Sequence, residues 1–255
     1  MSLFDLSGKT AIITGSSRGI GKAIAEAMAA QGANVVISSR KPGPCQEVAT
    51  AINEAEGREC AIAVPANISS REDLERLVSE TEAKFGQVDT LVCNAATNPY
   101  FGSLMDISDE AFSKILQNNI VSNNWLVQLC SKGMRERKDG SIIIVSSIGG
   151  LRGTPVIGAY NISKAADFQL ARNLAVEFGK DNVRVNCIAP GLIKTDFARA
   201  LWENPAILKS ALTGTPMDRI GQPDEIAGAA VYLASKASSY MTGQMMVVDG
   251  GATVT

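Results

Sequence analysis

Tyr160 and Lys164 lie four residues apart in a stretch with helical periodicity, so the two side chains share one face. Alone, that spacing describes any exposed pair. Its chemistry is nonetheless specific. A free phenol ionises near pH ~10, too high for a base at neutral pH. An ammonium beside it favours the phenolate, and a cationic ligand would add to that. Tyrosine and lysine together can therefore act as a general acid/base without histidine. The chain has no histidine. Ser-His-Asp and Cys-His catalysis are excluded, and no metal site is expected. Ser147 follows the apolar run Ile142-Ile143-Ile144-Val145, where its hydroxyl could steady an oxygen on which charge develops. Asn119 falls where a long helical stretch, about 109 to 137, is expected to bend. Taken singly, Ser147 and Asn119 read as capping or bend residues.

These side chains need a scaffold, and its first unit is the start of the chain. Ala11-Ile12-Ile13 reads as a strand, Thr14-Gly15-Ser16-Ser17-Arg18-Gly19-Ile20-Gly21 as a glycine turn, and Ile20 through Ala30 as a helix. Strand, turn and helix in that order set a dinucleotide pyrophosphate on a helix N-terminus, where free N–H groups and the helix dipole favour phosphate. Gly15 serves an unusual turn conformation, Gly19 lets phosphate approach, and Gly21 lets the helix pack closely. The spacing does not fit a nucleoside-triphosphate loop, because Ala23 stands where a metal-binding hydroxyl is needed.

Strand-like and helix-like runs then alternate to the end. Strands are expected at 35–37, 61–64, 89–93, 142–145, 183–188 and 245–248. Helices are expected at 46–56, about 70–85, 109–137, 158–178 and 223–234. The pattern is that of an α/β chain: a single Rossmann-type, doubly wound domain with a seven-stranded, mostly parallel sheet and helices on both faces. The cofactor half covers about 1–150 and the catalytic and substrate half about 140–255. The irregular stretch 190–222 reads as a mobile lid.

At 255 residues, with 45% hydrophobic and 20% charged residues, the chain can bury one sizeable core. A net charge of -2 gives no electrostatic reason to bind nucleic acid or an anionic membrane. No apolar run reaches spanning length, neither a signal peptide nor a peroxisomal tripeptide is read at the ends, and the cytoplasm is expected. The five scattered cysteines form no Cys-x-x-Cys, and Cys93 and Cys187 sit in apolar runs, so buried reduced thiols are expected. Helix 158–178 is apolar nearly all round, which suggests a subunit interface and a homotetramer or homodimer.

On these motifs the sequence resembles the short-chain dehydrogenase/reductase family over essentially its whole length. Thr14-Gly15-x-x-x-Gly19-x-Gly21 resembles the family's cofactor loop, and Asn94-Ala95-Ala96 its element after the fourth strand. Asn119, Ser147, Tyr160 and Lys164 match its catalytic tetrad, with thirteen residues from Ser147 to Tyr160. Pro190-Gly191 with Ile193-x-Thr195 matches the segment that clasps the nicotinamide end, and Val248-Asp249-Gly250-Gly251 the carboxyl-terminal signature. The resemblance implies that Tyr160 exchanges a proton with the carbonyl oxygen and Ser147 hydrogen-bonds it. It also implies that Lys164 holds the nicotinamide ribose and lowers the Tyr160 pKa, and that Asn119 holds a water leading to solvent. Ser17 and Ile20 join the cofactor loop, and Asn67 and Ile68 the adenine side. Two positions depart from the pattern: Ala96 replaces glycine, and Asn67 replaces aspartate.

The second strand ends Ser38-Ser39-Arg40. Ser39 stands where an acid would bind a ribose 2′-hydroxyl and repel a 2′-phosphate. With Arg40 and Arg18 offering forked hydrogen bonds, NADP(H) is expected before NAD(H). Residues 98–104, 160–164 and 185–195 are similar to an NADPH-dependent carbonyl/retinal reductase subgroup, which implies a small apolar ketone, aldehyde or dicarbonyl and its alcohol. Two other readings are open. One is reduction of a carrier-bound 3-oxoacyl thioester, with Arg135, Arg137 and Lys138 as the only basic cluster for an acidic carrier; the other is a non-catalytic dinucleotide sensor.

Overall fold

A computed structural model describes residues 2–255. Seven strands form one sheet: β1 Thr10–Thr14, β2 Asn34–Ser38, β3 Ala61–Ala63, β4 Thr90–Cys93, β5 Gly140–Val145, β6 Val183–Pro190 and β7 Met245–Val248. Their order is β3-β2-β1-β4-β5-β6-β7. Every pairing is parallel, so the sheet is wholly rather than mostly parallel. The central strands β1, β4 and β5 are buried on both faces, as a parallel sheet under two helical layers requires.

The helices are α1 Gly19–Ala30, α2 Pro42–Glu56, α3 Arg71–Phe85, α4 Asp109–Leu116, α5 Ser122–Arg137, α6 Gly158–Phe178, α7 Arg199–Trp202, α8 Pro205–Ala211 and α9 Pro223–Ala234. One core packs Ile24 and Met28 of α1, Val48 of α2 and Ile226 and Ala230 of α9 on the sheet. The other packs Leu74 and Leu77 of α3, Leu126 and Met134 of α5 and Phe168 and Leu174 of α6 on the opposite face. α2 starts at Pro42, four residues before the expected Gln46, because prolines fit a first turn whose N–H groups have no helical acceptor. The Ser70 hydroxyl caps α3 by accepting from Asp73 N.

Two expectations need correction. The stretch 190–222 is not simply irregular: it carries α7 and α8, and Ile193 bridges Gly221 in parallel. Nor is α6 apolar nearly all round. It buries Asn161, Lys164 and Asp167, and presents Ile162, Gln169, Arg172, Asn173, Val176 and Glu177 outward. All five cysteines are buried free thiols. Among the described residues, no helix is long and apolar enough to cross a membrane.

Candidate active site

The strand order reverses between β1 and β4, and the carboxyl ends of the strands at such a reversal are where open α/β sheets seat their ligands. β5 delivers Ser147 to this edge. Ser147 caps a short 3-10 turn, its Oγ accepting from Gly149 N at 3.0 Å. Tyr160 lies in the first turn of α6 and Lys164 one turn further on. Lys164 Nζ is 5.7 Å from the Tyr160 ring centroid. The Phe197 ring, from the short turn before α7, packs on Tyr160 with centroids 5.9 Å apart.

Burial pushes the Tyr160 phenol above its ordinary value, while Lys164 and a hydrogen bond with Ser147 pull it down. Lys164 is itself buried, and its Nζ donates to Val145 O and to Asp167 Oδ2, each at 3.0 Å. Burial alone would lower the ammonium, but Asp167 and Tyr160 outweigh it and the net direction is upward. Two of three ammonium donors are thus engaged, and the third is free to meet a ligand hydroxyl.

Asn119 does sit at a helix irregularity, a π-helical turn over Gln117–Val121. The widened turn leaves carbonyls without regular amide partners, and side chains supply donors. Ser122 Oγ donates to Asn118 O and Asn123 Nδ2 to Asn119 O, both at 2.6 Å. The Asn119 side chain pins the loop after β4, its Oδ1 accepting from Thr97 N at 2.8 Å and its Nδ2 donating to Thr97 O at 3.1 Å. It also donates to Ser163 Oγ, which donates to Tyr160 O. Asn119 therefore ties the loop to the helix that carries Tyr160.

On the glycine turn, Gly15 and Gly19 have φ of +67° and +57°, a region that favours glycine. Arg18 offers α1 no side-chain cap, so the first-turn amides are open to a phosphate. The fit to a dinucleotide also rests on a narrow gap: a Cβ on Gly19 would come within 3.3 Å of Thr195 Cγ2. Thr14 Oγ1 accepts from Asn94 N and Ala95 N, and Asn94 Nδ2 donates to Thr14 O at 2.8 Å, locking β4 to the turn. A Cβ on Gly21 would sit 2.5 Å from Gly15 O. Gly21→Ala should therefore cost about 1–3 kcal/mol and weaken dinucleotide binding, read by thermal melting and fluorescence titration. An unchanged melting temperature would refute the packing argument.

The remaining cofactor candidates divide. Pro190 ends β6 and Gly191 N donates to Val248 O at 2.9 Å, bringing the nicotinamide-clasp segment beside the carboxyl-terminal signature. Ile193 is buried, and Thr195 caps the next turn. Ser39 Oγ lies 3.1 Å from Cys45 Sγ, and Arg40 is exposed just past the end of β2. Arg18 reaches across to the turn before α7, with its guanidinium 3.1 Å from Asp196 Oδ2. Asn67 is exposed and serves α3: its Oδ1 accepts from Ser69 N and its N donates to Asp73 Oδ2. Ile68, Ser17, Ile20 and Ala96 are half-buried.

Sequence reasoning passed over Asp167 entirely. The signal was available: an acid three residues past Lys164 in a mainly apolar helix.

A family model described as Enoyl-(Acyl carrier protein) reductase matches residues 15–253. Dehydrogenase/reductase SDR family member 4 from Bos taurus is 44% identical over 97% of this chain and 88% of its own. The chain belongs to the short-chain dehydrogenase/reductase family. It is an NAD(P)-dependent oxidoreductase of that family. Among solved structures, a gluconate 5-dehydrogenase from Burkholderia cenocepacia in complex with NADP and tartrate superposes with a TM-score of 0.93 at 31% identity, covering 99% and 98% of the two chains. A 3-oxoacyl (acyl-carrier-protein) reductase from Agrobacterium tumefaciens with NADP bound gives 0.90 at 36% identity, covering 97% and 95%. As a short-chain dehydrogenase/reductase, the protein presents its Tyr160–Lys164 pair at the crevice where such a sheet seats its ligand.

Proposed function

We propose that this protein interconverts a small apolar ketone, aldehyde or dicarbonyl and its alcohol with NADP(H). The observation that carries the reading is the apolar rim beside Tyr160. Phe197 lies on the Tyr160 ring, Leu104 borders Gly158, and Phe101 and Leu151 are exposed on flanking loops. The loop bearing Phe101 is stitched to the segment before α6 by Gly102 N donating to Val156 O at 2.8 Å.

When bound, the nicotinamide supplies or accepts the hydride. Tyr160 gives its phenolic proton to the carbonyl oxygen in reduction and removes it in oxidation. Ser147 hydrogen-bonds that oxygen as charge develops. Lys164 offers its third N–H to a ribose hydroxyl and favours the phenolate. The glycine turn of Gly15, Ser17, Gly19, Ile20 and Gly21 receives the pyrophosphate, with Asn94, Ala95, Ala96, Asn67 and Ile68 toward the adenosine. Pro190, Gly191, Ile193 and Thr195 close on the nicotinamide end. The NADP-bound relatives and the absence of an acid at Ser39 both support the 2′-phosphate preference.

Oxidation of NADPH and NADH against apolar ketones, α-dicarbonyls and a 3-oxoacyl thioester tests this. Ketone turnover with NADPH preferred is expected. Turnover confined to the thioester would move the protein to fatty-acyl chemistry, as the 36% identical reductase allows. Against a carrier-docking patch, Arg135 is already paired with Asp181 at 2.6 Å and stacks on Phe178, and Arg137 donates to Val88 O.

Ser39→Asp should lower kcat/KM for NADPH by about tenfold or more, since like-charge juxtaposition exceeds the ~1.4 kcal/mol that tenfold represents. NADH efficiency should hold or rise. Equal loss with both cofactors would refute the 2′-phosphate assignment. The outward Val176 and Ile162 of α6 support a subunit interface and a homotetramer or homodimer; a monomeric mass in sedimentation at micromolar concentration would count against it.

A further inference from the structure

Behind the Tyr160–Lys164 pair lies a buried acid that the family tetrad does not include. Asp167 is fully buried, with its Oδ2 3.0 Å from Lys164 Nζ. Its Oδ1 accepts from Asn123 Nδ2 at 3.3 Å. The same amide donates to Asn119 O at 2.6 Å. A continuous chain of side-chain contacts thus runs from the π-helical turn of Asn119, through Asn123 and Asp167, to Lys164. Val145 O takes a second Lys164 donor from the strand side. The ammonium is gripped from two directions, which fixes where its remaining N–H can point.

We propose that Asp167 is a positioning residue for Lys164, holding the ammonium in place and partly cancelling its charge as felt by Tyr160, with Asn123 as its tether. This rests on Tyr160 and Lys164 forming the acid/base pair of the proposed function.

The electrostatic consequence follows from geometry. An acid beside a lysine stabilises the lysine's proton, and it opposes ionisation of a nearby phenol. Both effects have the same sign on a pH axis: a negative charge makes every neighbouring group harder to deprotonate. Asp167 indeed pushes both Lys164 and Tyr160 upward. The other titratable groups packed around the acid are Cys93 on β4 and Cys187 on β6, and burial pushes both thiols well up. They stay neutral at working pH, and Lys164, Tyr160 and Asp167 are the charge-bearing set. Burial raises the Asp167 carboxyl itself, and Lys164, Asn123 and Ser146 pull it back.

The test is Asp167→Asn, which keeps shape and removes charge. Near-ultraviolet titration of tyrosinate, with Tyr160→Phe in each background subtracted, reads the Tyr160 phenol in the cofactor-free protein. The expected result is ionisation about one pH unit lower in Asp167→Asn than in wild type. In turnover, both limbs of the pH profile of kcat/KM should move to lower pH. Asn123→Ala, which leaves the negative charge and removes only its donor, should not move them to lower pH. Should Asp167→Asn fail to fold, Asp167→Ser, which also removes the charge, is read by the same phenol titration, and a phenol that does not move down overturns the proposal. An unmoved Tyr160 phenol, or limbs that move apart or upward, overturns the proposal. A shifted phenol in a protein that turns over no carbonyl compound supports the Asp167 role and sinks the substrate reading, so the two failures are distinct.

Discussion

Tyr160→Phe is expected to reduce carbonyl turnover by roughly 10²- to 10⁴-fold, the usual contribution of a positioned general acid/base, while NADPH binding is retained. The substitution removes one oxygen and keeps the ring. The packing of Phe197 at a centroid distance of 5.9 Å should survive, as should the Lys164 contact with the ring. The Ser163 hydrogen bond goes to the Tyr160 main-chain oxygen and is untouched. What disappears is the proton that must reach the carbonyl oxygen. With no histidine in the chain, no imidazole can replace it. Steady-state kinetics with NADPH and fluorescence titration of the cofactor check both halves. Full turnover in the variant would refute Tyr160 as the proton donor. Tight cofactor binding without turnover in wild type as well would favour the dinucleotide sensor.

The second large effect concerns stability. Lys164→Met should destabilise the protein by about 3–5 kcal/mol, because it strands a buried carboxylate. Lys164 and Asp167 are 2% and 0% exposed, so solvent does little to screen their pairing at 3.0 Å. Pairing the first substitution with Asp167→Leu should restore most of the loss, since replacing both members of a buried pair with apolar groups of similar volume is often neutral or better. Activity should not return. Chemical denaturation of the single and double variants, with turnover measured alongside, separates the structural share of the pair from its catalytic share. A single variant as stable as wild type would show that the pair contributes little to folding.

The pH dependence of that deficit has a definite sign. Burial already raises Asp167 with Lys164 present, and removing the ammonium raises it further. A carboxyl whose folded-state pKa exceeds its unfolded value binds more protons when folded, so stability falls as pH rises through that interval. Lys164→Met should therefore lie nearer wild type in acid than at neutral pH. A deficit that grew on acidification would contradict an unpaired Asp167.

Much of this site was legible in one dimension. The expected helix 158–178 has the bounds of α6, because the apolar spacing within it is a local signal. Ser147 after an apolar run, and Tyr160 four residues before Lys164, follow from strand and helix repeats alone. The bend at Asn119 was expected too, although its form, a π-helical turn, depends on Ser122 and Asn123 capping the carbonyls it exposes.

The sequence by itself determined the alternation of strands and helices and the glycine turn, because each is written in neighbours a few residues apart, and it pointed to Asn119, Ser147, Tyr160 and Lys164 through motifs shared with the family. Only the tertiary structure decided what stands behind them. Asn123 and Asp167 are 44 residues apart and meet because α5 and α6 pack on the same face of the sheet. Arg18 and Asp196 are 178 apart and meet because the glycine turn and the segment after β6 come together at the carboxyl edge of the sheet. Local periodicity carries no record of such pairings. A buried acid reads along the chain as one more polar residue, and becomes part of the site only when the fold places it against a lysine that solvent cannot reach.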